Sequence, residues 1–499
     1  MSYNFPYSNT IDLLVEGRIS KSDAERQTST AKAILEKLIN QPGLILADEV
    51  GMGKTFVALA VAISVYLRDK KPVVIMIPPN LINKWPNDFK FFCNSCITDP
   101  KIRAKLKYGI ARRPEEFLRL LDDEEKKRSS VIFLTHGAFG RNMSDGWIKL
   151  AIIQKALYRR KDTGDLYRAL SKYAGSLIGK NNLEGKNRKI DIWALLLNSN
   201  PENWRSILIK HSLDDETIDD PVPLLFQKEL EKLETNELDA FYWNLRSEMP
   251  MRESDNLKQR LTNVRQILSN EAKVIWTRCL AKIKLKLPLL VFDEAHHLKN
   301  SETQLVSKLF HNPEAEEDAG ILTGQFDRML FLTATPFQLG HHELYRVLQR
   351  FETINWKSKD APPFENEIYK GDLGNLLKML DDSQIAARKL DNSWGKLTID
   401  DISIDGKNPE NIYDWWEQVI NVNENPPHIQ RVIDDYSIAK QKLKLVEPLL
   451  KKYVVRHLKP REMTDQFSGV KRRNNLPGNL ISVMGVDEKT EEKKGLSIN

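Results

Sequence analysis

Cysteine is scarce, with three in 499 residues. That number cannot build a disulfide framework and points to a reducing compartment. Cys93 and Cys96 form a single CxxC pair. A zinc site needs two further ligands at a matching spacing, so ordinary thiols are the better reading. Long hydrophobic runs are missing as well. The longest, Phe56 to Leu67 between Lys54 and Arg68, is too short to span a bilayer, so no membrane partner is expected. Met1 to Arg18 lacks the basic start and apolar core of a secretory signal. Nor is there a large excess of one charge. The net value of +6 permits a nucleic-acid partner without demanding one. The remainder, 41% hydrophobic and 29% charged, is a globular mixture long enough for about two to four domains.

Five short apolar runs read as buried strands: Leu44–Ala47, Val73–Ile77, Val131–Leu134, Leu289–Phe292 and Met329–Leu332. Most do not alternate, as expected of a parallel sheet covered on both faces. A helix is expected from the capping-box pattern at Ser22–Glu25 to Asn40-Gln41-Pro42-Gly43, and another over Thr55–Leu67. Strand, glycine turn, helix and strand make the rhythm of a doubly wound α/β fold. About 150 residues separate the third run from the fourth. Residues 146–285 read as helical, with Phe226, Leu230 and Leu233 at helix spacing. A second, mostly helical region is expected over 341–460. Its stripe of Tyr436, Ala439, Leu443, Val446, Leu450 and Tyr453 contains Pro448, so it should kink or divide. Residues 461–499 read as a basic linker or tail.

Asp48-Glu49-Val50-Gly51-Met52-Gly53-Lys54-Thr55 lies between a strand and a helix, where a phosphate-binding loop belongs. Glycines let backbone N–H groups face phosphates, and the helix N-terminus adds a favourable dipole. Lys54 would reach the β- and γ-phosphates, and Thr55 would hold Mg²⁺. Asp48 stands where the generic motif has its first glycine. Asp293-Glu294-Ala295-His296 follows the fourth strand. Asp293 would hold Mg²⁺ through water, and Glu294 would polarise an attacking water. The plainer alternative is a helix start enriched in acids. Thr333-Ala334-Thr335-Pro336 again follows a strand and is a candidate relay. Gln27 either reads an adenine edge or is a solvated helix glutamine. From Lys451 to Arg473, eight basic residues stand against two acidic ones. That patch is either a phosphate-backbone contact or a solvated face.

Together these segments resemble motifs I, II and III of superfamily 2 helicase-like ATPases, in the form of the Swi/Snf-type DNA translocases. The resemblance rests on Ala47–Thr55, on Asp293–Asn300 with its Asp-Glu-Ala-His box, and on Pro78-Pro-Asn-Leu-Ile-Asn-Lys-Trp85. Thr135-His-Gly137 and Tyr453–Lys459 extend it, and Leu332–Gly340 is most similar to bacterial members associated with RNA polymerase. The resemblance implies a RecA-like parallel sheet, the phosphate-loop lobe of an α/β protein, over 1–145 and 286–340 with large helical insertions. It implies ATP with Mg²⁺ as cofactors, duplex DNA as partner, and a cytoplasmic, nucleoid-associated bacterial setting. Gln27 would read adenine. Pro79, Asn80, Trp85, Thr135 and His136 would face DNA, and His296, Thr333 and Thr335 would couple hydrolysis to movement. The family's second RecA-like lobe, with the arginines that complete the ATP site, is expected to be absent from these residues and supplied by another protein. The competing expectation is a non-enzymatic, ATP-responsive DNA- or protein-binding subunit of a bacterial defence or restriction assembly, working through its helical regions.

Overall fold

The computed structural model describes residues 4–140, 143–179, 191–211, 213, 220–251, 256–298, 309–310, 320–333, 341–398, 400–402, 412–422 and 425–457, with two short pairs at 481–482 and 497–498. The chain divides into two compact units. One holds Met1–Leu46, Gly53–Ala334 and Arg350–Pro363; the other holds Ala47–Met52, Thr335–Gln349 and Phe364–Asn499.

The first unit is built on six parallel strands: β1 (Gly43–Leu46), β2 (Val73–Ile77), β3 (Tyr108–Ala111), β4 (Val131–Thr135), β5 (Leu287–Phe292) and β6 (Phe326–Leu332), in the order β3-β4-β2-β5-β6-β1. Five of the six are buried at every position. That burial is why their sequences read as unbroken apolar runs. The exception is β3, which the apolar runs did not reveal. It pairs only with β4 and buries alternate residues, Gly109 and Ala111. A four-residue edge strand with a glycine carries little pattern.

Helix α1 (Lys21–Asn40) starts earlier than its sequence suggests, because Ser20 and not Ser22 caps it, accepting the Asp23 N–H. Its end is sealed by Arg328 of β6, which is fully buried. The guanidinium donates to the carbonyls of Leu38, Ile39, Asp327 and Asp360. A cation at a helix C-terminus satisfies carbonyls that have no partner within the helix. Helix α2 (Lys54–Asp69) follows the glycine turn, α3 (Lys84–Cys96) follows β2, and α4 (Pro100–Lys105) and α5 (Pro114–Asp122) flank β3. Cys93 and Cys96 are buried free thiols, each pushed up to about 12 by burial.

Between β4 and β5 the described residues form seven α-helices: α6 (Gly146–Leu157), α7 (Gly164–Ile178), α8 (Ile192–Leu197), α9 (Trp204–Lys210), α10 (Leu224–Glu231), α11 (Asp239–Glu248) and α12 (Leu257–Lys282). Their core includes Trp204, Phe226 tilted against Trp276 with ring centroids 4.7 Å apart, and Leu230 and Leu233. Leu118 of α5 belongs to the same core. Arg119 meets Asp145 at 2.7 Å, and Asp122 accepts the Leu224 N–H at 2.6 Å. The insertion is therefore fastened to the sheet domain through α5. Among the described residues no helix is long and apolar enough to cross a membrane.

The second unit contains α13 (His341–Gln349), α14 (Asn366–Trp394), α15 (Ile412–Asn421), α16 (Pro427–Tyr453) and the short strand β7 (Val454–Val455). Helices α14 and α16 pair along their length, tied by Lys442–Asp382 at 2.9 Å and Lys452–Asp372 at 2.5 Å. Trp394, Trp415, Trp416 and Tyr436 cluster at one end. The apolar stripe holds only in part. Val446 and Tyr453 are buried, but Leu443 is 38% exposed, and Pro448 sits within one continuous helix.

Candidate functional site

Strand register brings the motifs to one edge. Leu46 of β1 stands opposite Leu332 of β6, Phe331 opposite Phe292 of β5, and Met76 of β2 opposite both Phe292 and Leu134. All six strands are parallel, so the chain leaves them at the same edge, and five of these exits lead into segments that the sequence singles out. Neighbouring strands lie about 4.8 Å apart, so the exits of β1, β6 and β5 span about 10 Å of edge. Ligands of open α/β sheets bind at this carboxyl edge.

At the exit of β1, Met52 N–H bonds the Glu49 carbonyl at 3.2 Å, and Gly51 and Gly53 adopt φ of +83° and +86°. Side chains rarely adopt that conformation. Gly53 caps α2, whose first residues are Lys54 and Thr55. A Cβ at Gly53 would collide with the Gln27 amide. Gln27 is buried, so it is not the solvated glutamine of the plainer alternative. It packs on the glycine that opens α2. Val50 is exposed and Met52 buried.

Asp48 differs most from its expected role. It is 0% exposed, and its Oδ1 accepts both the His457 backbone N–H at 2.7 Å and the ring Nδ1 at 3.0 Å. The carboxylate is thus directed inward, onto His457.

At the exit of β5, Asp293 is held on both oxygens. Its Oδ2 accepts the Trp85 indole N–H at 2.8 Å, and its Oδ1 accepts the Glu294 N–H at 3.0 Å. Burial pushes its pKa up, the Trp85 bond opposes this, and the Glu294 charge adds to it. A cation beside the carboxylate would offset that burial cost, so this donor, with the Thr55 hydroxyl, fits a divalent metal. Glu294 takes φ of +54°, an uncommon conformation outside glycine, and its carboxylate is 3.1 Å from His296 Nδ1. Thr333 is buried, its N–H on the Leu46 carbonyl at 3.1 Å.

Three residues expected to face DNA are instead interior. Trp85 is 2% exposed on α3, beside Phe133 and bonded to Asp293. Thr135 is buried at the end of β4. His136 is buried and stacked on Phe292 at 4.3 Å, and burial, reinforced by His297, lowers its pKa to about 3. These side chains shape the site from behind. Pro79 and Asn80 are exposed on a short 3-10 turn after β2. Thr335 lies outside the described residues, as do Lys459, Arg461, Lys471, Arg472 and Arg473 of the basic patch. Within that patch, Lys451 meets Glu447, Lys452 meets Asp372, and Arg456 lies beside Glu49 and Asp48. The residue that sequence reasoning missed is His457. The signal that could have found it was Asp48, an acid in a glycine's place.

The comparisons agree with the motifs. Residues 26–129 match the SNF2-related domain. An uncharacterized ATP-dependent helicase of Mycoplasma pneumoniae is 25% identical over 196 residues, covering 38% of this chain and 18% of that protein. The chain therefore spans about a fifth of that relative's length. The Sulfolobus solfataricus SWI2/SNF2 ATPase core in complex with dsDNA overlaps 90% of this chain and 60% of its own, at 11% identity and a TM-score of 0.26. The family match over residues 26–129 and the helicase relative support a Swi/Snf-type, helicase-like domain, and the parallel sheet with helical insertions is an α/β fold.

Proposed function

We propose that this chain is the ATP-binding lobe of an ATP-dependent Swi/Snf-type DNA translocase of the bacterial nucleoid. The observation that carries the reading is the common level at which Gly51–Thr55, Asp293–Glu294 and Thr333 follow parallel strands of one sheet. Lys54 binds the β- and γ-phosphates, and backbone N–H groups at the start of α2 cradle them. Thr55 and Asp293 hold Mg²⁺, which when bound neutralises charge on the phosphates. Glu294 orients the attacking water and accepts its proton, since phosphoryl transfer depends on positioning and charge stabilisation. Gln27 reads the adenine edge. His296 contacts the Glu294 carboxylate and relays its state, and Thr333 and Thr335 complete the coupling. Pro79 and Asn80 offer the exposed backbone contact to duplex DNA. Arginines supplied from outside the described residues would complete the site, a contribution worth roughly 10³–10⁵ in rate in phosphoryl transfer.

The test measures ATP binding and hydrolysis by the purified chain, with and without duplex DNA, beside Lys54→Ala. The expected outcome is Mg²⁺-dependent ATP binding, lost by at least about tenfold in Lys54→Ala, with slow turnover. A chain that binds no ATP overturns the reading. Fast DNA-stimulated turnover by the monomer overturns the need for those outside arginines.

A further inference from the structure

We infer that the three residues after α16, Val455–Arg456–His457, are a built-in fastening for the phosphate loop, and that Asp48 replaces the motif's glycine in order to receive it. Two consecutive loop residues are held. The Ala47 N–H donates to the Val455 carbonyl at 2.8 Å. Asp48 Oδ1 accepts from the His457 N–H at 2.7 Å and the His457 ring Nδ1 at 3.0 Å. Between these, Arg456 lies beside Glu49 and Asp48, whose charges oppose the desolvation of its guanidinium. Asp48 has no exposure to water. A buried carboxylate is tolerated only where donors meet it, so donor and acceptor were placed together.

Glycine at position 48 would give the loop freedom but no handle. Aspartate gives it a charge-assisted handle held from the far end of the chain, 409 residues away. The handle is rigidly mounted. Tyr453 ends α16 and is buried edge-on against Tyr369 of α14, and the adjacent Lys452 is tied to Asp372. His457 is thus a positioning residue. It touches no phosphate itself, and it sets where Glu49–Gly53 begins its turn.

The fastening itself needs no ligand; its consequence for nucleotide rests on the reading of the loop as a phosphate site. The test is amide hydrogen exchange across 47–53 in the nucleotide-free chain, with binding of a fluorescent ATP analogue, in wild type, His457→Ala, His457→Asn and Asp48→Ala. Lys451→Ala serves as a surface control, since its partner Glu447 is exposed. We expect exchange at 47–53 to quicken about tenfold in His457→Ala, the scale of one charge-assisted bond, and nucleotide affinity to fall by a similar factor. His457→Asn keeps a side-chain donor and should restore most of both. Asp48→Ala should resemble His457→Ala, with exchange in strands β2, β4, β5 and β6 unchanged. Unaltered exchange in His457→Ala overturns the fastening. Faster exchange with unaltered affinity overturns the positioning role. If wild type binds no nucleotide, the phosphate-site reading fails while the exchange result still decides the fastening.

Discussion

The sheet of the first unit and the paired helices of the second bury their residues in different ways. Helix α2 buries nine of its sixteen residues, whereas α16 buries four of its twenty-seven. On α2 the nine are consecutive, Val57–Val65, so that stretch is covered on every side. A helix that pairs mainly with one other helix commits only a seam. The difference teaches where chemistry can be placed. Strand ends fixed by register hold Asp293 and Thr333 at defined levels, a placement that a helical seam does not impose.

The comparison breaks first if the sheet domain tolerates loss of its buried cation. Arg328→Met would leave the carbonyls of Leu38, Ile39 and Asp360 without their donor. Hydrogen bonds to a charged group are each worth about 1.5–3 kcal/mol, so denaturant unfolding should show a loss of about 3 kcal/mol or more. A loss near zero would mean that water replaces the guanidinium and that the end of α1 does not depend on β6.

The same contrast governs what the sequence revealed. Continuous burial on both faces forced apolar runs, so Leu44–Ala47, Val73–Ile77, Val131–Leu134 and Leu289–Phe292 were legible, and with them the exits carrying Lys54 and Asp293. Edge strand β3 was not, because half of it faces outward. The stripe on α16 was overread at Leu443, since period alone cannot say how far a seam extends. Motif position located Trp85 but not its direction. An indole in a loop motif suggests a surface, and only the fold shows its N–H turned inward onto a carboxylate 208 residues away. The role of His457, within the Tyr453–Lys459 segment, went unread for a related reason. Asp48 in a glycine's place signalled that a partner existed, but not which distant residue it was.

Trp85 sharpens the comparison at the site itself. Trp85→Phe keeps a ring against Phe133 but removes the only indole donor recorded on Asp293 Oδ2 among the described residues. On the proposed reading, the Mg²⁺ concentration for half-maximal nucleotide binding should rise about tenfold, the scale of one hydrogen bond to a charged group, with melting temperature little changed. A titration with the Mg²⁺ midpoint unmoved would show that Asp293 is oriented by its backbone contact alone.

The smallest effect belongs to the second unit. Ile438 and Leu445 lie on α16 and are 48% and 53% exposed. Serine has a helix propensity close to that of isoleucine, so Ile438→Ser changes little beyond the exposed apolar surface. If that side of α16 meets solvent, the variant should unfold within about 0.5 kcal/mol of wild type. A loss several times larger would mean that Ile438 is covered in solution. Helix α16 would then bury more than a seam, and the contrast drawn between the two units would narrow to a difference in what covers them.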